Sequence, residues 1–80
     1  VWHVAAIRYW RERWGARLIG ISHGVLELRV ERRPKTRDAA IALAQEQYVY
    51  CADIVDQGVG DIATLAHYLM VSDWWYFWWD

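Results

Sequence analysis

Six aromatic residues in succession, Trp74, Trp75, Tyr76, Phe77, Trp78 and Trp79, restrict the possible folds of this chain more than any other feature. Broad, flat side chains suit the pleated surface of a strand better than the crowded surface of a helix. In a strand, Trp74, Tyr76 and Trp78 point to one side and Trp75, Phe77 and Trp79 to the other. Both sides are then apolar, so this strand asks for cover on two faces. Each buried ring removes on the order of 150–250 Å² from water. That lets 80 residues form one core without staples, near the lower size limit for a single domain and with no room for a second.

The remainder of the chain supplies partners for that strand. Ile7, Trp10 and Trp14 lie on one helical stripe with Arg8, Arg11, Glu12 and Arg13 beside it, so the first segment reads as an amphipathic helix that Gly15 ends. From Arg17 the apolar period drops from about 3.6 to about 2. Ile19 and Ile21, then Leu26, Leu28 and Val30, form the apolar face of a hairpin over about 17–31 that turns near His23 and Gly24. Glu27, Arg29 and Glu31 mark its other face as wet. Pro34 stops the second strand, Thr36 is an N-cap, and Ile41, Ala44, Tyr48 and Cys51 recur at helical spacing. A loop over 52–60 follows. Asp61 then caps a third helix with the stripe Ile62, Leu65, Ala66 and Leu69. The pattern predicts an α+β fold in the order α-β-β-α-α-β. Its small antiparallel sheet joins the hairpin to a last strand over about 74–79, and three helices pack against it.

Charge narrows the partners. Nine basic and ten acidic residues leave a formal net charge of -1, which gives no global attraction to polyanions. Arg29, Arg32, Arg33, Lys35 and Arg37 form a basic run in which Arg29 and Arg32 are the candidate phosphate contacts. Glu12, Glu27 and Glu31 balance them, so nucleic-acid binding is disfavoured and ranks last among the readings. The longest uncharged stretch, Ile62 to Ser72, falls short of the roughly 17–25 residues a membrane helix needs, and no membrane partner is expected. Three histidines without i, i+4 spacing and one cysteine point to no metal and no other cofactor. The lone Cys51 also excludes an internal disulfide framework, which makes a cytoplasmic location the natural expectation.

Two constellations carry chemical possibilities. Cys51, with His67 and Asp53 or Asp56, holds the residue types of a thiol nucleophile, its base and an orienting carboxylate, so a small hydrolase or transferase is the second reading. Against it, Cys51 falls on the apolar stripe of the second helix, where thiols are usually inert. Asp53, Asp56 and Gln57 stand in a glycine-containing loop and are candidate binding residues. Short carboxylates in such loops also serve simply to satisfy neighbouring backbone N–H groups.

The stretches Arg13-Trp14-Gly15-Ala16, Leu26-Glu27-Leu28, Arg32-Arg33-Pro34-Lys35-Thr36, Tyr50-Cys51-Ala52-Asp53 with Gln57-Gly58, and Phe77-Trp78-Trp79-Asp80 resemble a bacterial family known as domain of unknown function 4253. The family pattern usually has prolines where Arg33 and Ala52 stand, which implies less rigid loops here. The resemblance implies no catalytic role. It does imply a module that closes a longer chain, in keeping with the absence of an initiator methionine.

The surplus aromatic triad decides the leading expectation, a non-enzymatic interaction or structural module. Its cover is the first helix, an upstream segment of the same chain or a protein partner, or else it stands open as a stacking platform for sugars or bases. Trp75 and Trp79 are the candidate contact residues on it.

Overall fold

The computed structural model of the chain describes residues 2–79. Val1 and Asp80, the residue that ends the last resembling stretch, lie outside them. Helix α1 (Trp2–Trp14) is followed by strands β1 (Ala16–Ser22) and β2 (Val25–Val30), helices α2 (Arg37–Tyr50) and α3 (Ile62–Val71), and strand β3 (Trp74–Trp78). The sheet is antiparallel in the order β1-β2-β3, with β2 central, as the α+β pattern predicts.

Local chemistry sets the element ends where the sequence places them. Gly15 leaves α1 at φ +66°, and a Cβ there would come within 2.7 Å of the Cβ of Glu31, so no larger residue fits without movement. Gly24, the second of the two hairpin-turn residues, has φ +65°. Thr36 Oγ1 accepts from the Ala39 N–H at 3.1 Å and Asp61 Oδ1 from the Thr64 N–H at 2.7 Å, which caps α2 and α3.

Three details differ from the sequence expectation. In β1 the predicted inward pair Ile19 and Ile21 is broken by a bulge between Leu18 and Gly20. The register places Ala16 opposite Val30, Leu18 opposite Leu28 and Ile21 opposite Leu26, while Ile19 falls at the irregularity and is 54% exposed. In α2 the buried stripe is Ala40, Leu43, Ala44, Gln47 and Tyr50, so Tyr48 is exposed and Ile41 half-buried. Gln47 lies one helical turn from both Leu43 and Tyr50 and is buried on the same stripe. Finally, the loop contains a π-helical turn, Val55–Val59, anchored by buried Ile54 and Val55 and closed by the Gly60 N–H on the Val55 carbonyl at 2.9 Å.

The core lies between the sheet and the helices. Leu28 faces Trp75 and Leu26 faces Phe77 across the β2–β3 pairing, and all four are buried. Trp10 of α1 stacks on Phe77 with centroids 5.5 Å apart and planes at 5°, and it meets Trp75 and Tyr50 edge-on at 5.6 and 5.1 Å. Its indole N–H donates to Glu46 at 3.1 Å. Among the described residues, Trp14 Nε1, Gln47 Nε2 and Trp75 Nε1 are buried without a hydrogen-bond partner. Each such group costs about 1–3 kcal/mol.

Candidate functional site

The faces of β3 follow from its pairing with β2. The apolar side of β2 carries Leu26 and Leu28, and their partners Phe77 and Trp75 go inward with them. Trp75, at 1% exposure, is therefore packed in the core and not on the open face of the sheet. Trp79 is half-buried as well, with its ring edge-on to Tyr50 at 5.4 Å and to His3 at 5.2 Å. The outward triad is Trp74, Tyr76 and Trp78. Trp74 is 36% and Tyr76 40% exposed, and Trp78 is half-buried. Helix α1 does not cover this triad, because Trp10 packs on Trp75 and Phe77.

Register orders the outer face in rows across the three strands. Arg17, Arg29 and Trp74 form one, Gly20, Glu27 and Tyr76 the next, and Ser22, Val25 and Trp78 the last. The Trp74 indole N–H donates to Glu27 Oε1 at 3.2 Å, and the Trp74 and Tyr76 rings lie 5.4 Å apart at 48°. Arg29 pairs with Asp73 at 3.6 Å in an exposed contact worth little by itself. The middle row is shallow because Gly20 adds no side chain, so the aromatic rings and Glu27 are its main relief. Such a face offers flat apolar contact with one carboxylate beside it.

The other candidates divide among different tasks. Arg32 donates to the Glu12 carbonyl at 3.3 Å and to Glu31 at 3.5 Å, and Arg33 to the Val71 carbonyl at 2.9 Å, so these two guanidiniums tie the exit of β2 to the ends of α1 and α3. Asp56 accepts from the Tyr48 hydroxyl at 3.1 and 3.3 Å, and its carboxylate raises the Tyr48 pKa. Asp53 accepts from Gln57 Nε2 at 3.4 Å. The loop carboxylates thus clasp the π-helical turn and α2. Cys51 is 1% exposed, its thiol donates to the Trp78 carbonyl at 3.0 Å, and burial pushes its pKa up. These are the surroundings of an inert thiol, not of a thiolate nucleophile. Among the described residues, no three His, Cys, Asp or Glu side chains are grouped to hold a metal ion, and no helix is long and apolar enough to cross a membrane.

The architecture defines an α+β domain with a one-sided helical layer and an aromatic outer strip. A family model described as Domain of unknown function (DUF4253) matches residues 1–80, and the chain belongs to that family. No curated protein and no solved structure matches it.

Sequence reasoning found the surplus triad but missed which residues form it. One signal points the right way. Phe77 is the one ring of the six without a polar atom, and such a ring suits a dry interior best, so it marks the odd-numbered positions as inward.

Proposed function

We propose that this domain is a non-enzymatic interaction module whose contact surface is the strip Trp74, Tyr76 and Trp78. The observation that carries the reading is the exposure of two large aromatic rings, side by side, on the outer face of the sheet. Aromatic residues are the commonest anchors of protein contacts, since they bury much area at small entropic cost. The partner that suits the strip is a polypeptide segment, from another protein or from elsewhere in the same chain, that lays an apolar side on the rings. A basic group on that segment would meet Glu27. The setting we infer is the bacterial cytoplasm, supported by a single buried thiol that needs no oxidising compartment; fractionation of a native host that recovers the protein elsewhere would count against it.

The test is a size measurement on the domain together with binding of an environment-sensitive dye. Self-association or dye binding is expected, and Trp74→Ser with Tyr76→Ser should abolish either. A strictly monomeric species that ignores the dye would remove the basis for the proposal.

A further inference from the structure

Helices α1 and α2 leave an open cleft of about 440 Å³ between them. Ala5 and Tyr9 of α1 and Val49 of α2 are exposed at its rim, and the buried Trp10 and Tyr50 form its floor. One charged side chain lines it, the half-buried Glu46. Its carboxylate is held through both oxygens: Oε2 accepts from the Tyr9 hydroxyl at 3.2 Å and Oε1 from the Trp10 indole N–H at 3.1 Å. Among the described residues, no lysine, arginine or histidine pairs with it. Arg13 instead places its guanidinium over the Tyr9 ring, 5.3 Å from the ring centre. A charge partly withdrawn from water is normally met by an opposite one, so an unpaired carboxylate fixed in an otherwise apolar cleft calls for a partner.

We propose that this cleft binds a small organic monocation, an ammonium group on an apolar body, with the ammonium on Glu46. The charge follows from the lining, because Glu46 brings one negative charge and no cation lines the cleft to offset it. An ionised carboxylate has about four acceptor sites, so the bonds from Tyr9 and Trp10 leave room for N–H donors of a ligand. A metal ion is a poor alternative, since it needs several such ligands and, among the described residues, no three His, Cys, Asp or Glu side chains are grouped to supply them. The apolar body follows from Ala5, Val49 and the aromatic residues that make up the rest of the lining, and aromatic rings also attract cations. The volume lies in the range of small-molecule pockets, roughly 300 to 1,000 Å³. The cleft shares no residue with the strip Trp74, Tyr76 and Trp78, so either proposal can fail alone.

Three probes of similar shape and different charge separate the possibilities: phenethylammonium, 2-phenylethanol and 3-phenylpropanoate. They are titrated into the ¹⁵N-Trp-labelled chain with the indole N–H resonance of Trp10 as the readout, because a cation on Glu46 weakens the bond which that N–H donates. Phenethylammonium should shift the resonance in a saturable way and bind at least about tenfold tighter than the other two. Glu46→Gln, which keeps a carbonyl oxygen but loses the charge, should remove most of that preference. Ala5→Phe, at an exposed rim position, should weaken phenethylammonium by narrowing the cleft. Equal binding of the three probes would mean a generic apolar groove, and a Trp10 resonance that none of them moves would mean a merely hydrated one. Tighter binding of Nα-acetyl-lysine N-methylamide than of phenethylammonium would assign the cleft to a lysine of a protein partner. Any of these three results overturns the proposal.

Discussion

Burial of single polar atoms has consequences that titration can read. The Tyr50 hydroxyl has its pKa pushed up to about 12, chiefly by burial, and burial raises Cys51 as well. The unfolded chain releases these protons nearer their ordinary values of 10.0 and 9.0, so above those values it holds fewer protons than the folded form. The stability that these two groups contribute is then complete below pH 9.0 and declines as pH rises through these values toward 12. Urea midpoints taken from pH 7 upward should fall more steeply for the native sequence than for Tyr50→Phe; parallel curves would contradict this. Cys51 should react with a thiol-alkylating reagent slowly in the native protein and rapidly in denaturant, and prompt native modification at neutral pH would reopen the catalytic reading. At this scale the sequence was partly legible. Cys51 is buried as its place on the apolar stripe of the second helix implies, although α2 ends at Tyr50 and Cys51 caps it, but the burial of Gln47 was not legible, because a glutamine reads as solvent-facing until its place one turn from both Leu43 and Tyr50 is seen.

The elements were most legible where their ends depend on short-range chemistry. Gly15, Gly24, Thr36 and Asp61 all act within a few residues of where they stand, and each does what its side chain, or lack of one, foretells. The bulge in β1 was hidden, since it is a mismatch of count between two strands and no residue of β1 alone records it. The π-helical turn was hidden for a similar reason: its anchors, Ile54 and Val55, look like ordinary apolar residues in a polar loop. The tightest of these sites gives a prediction. Gly15→Ala must adopt φ +66° and also crowd Glu31, so it should cost about 2 kcal/mol or more in chemical denaturation. For comparison, Thr36→Ala, which removes a single capping bond, should cost about 1 kcal/mol. If the glycine change is the milder of the two, the account of the α1–β1 junction is wrong.

For the whole molecule, stability rests on few side chains. A domain of this length has roughly 4–12 kcal/mol in total. Phe77→Ala removes the ring on which Trp10 stacks and should cost about 3–5 kcal/mol, a large share of that sum. Ile21→Ser, at a position 73% exposed, should stay within about 0.5 kcal/mol of the parent, although sequence pattern alone rates it a core residue. The central place of β2 reaches into the life of the chain before it folds. Its two neighbours are made at different times, β1 just before it and β3 only after both later helices, because Leu28 waits for Trp75 and Leu26 for Phe77. A nascent chain therefore carries the hairpin without the β3 partners of Leu26 and Leu28 until both later helices have been made, and its core is expected to close only once Phe77 has left the ribosome. Translation stalled with only residues up to Val71 emerged should leave a protease-sensitive chain. A stall that frees Trp79 as well should yield protection in one step, and gradual protection from the hairpin onward would show instead that folding runs ahead of synthesis.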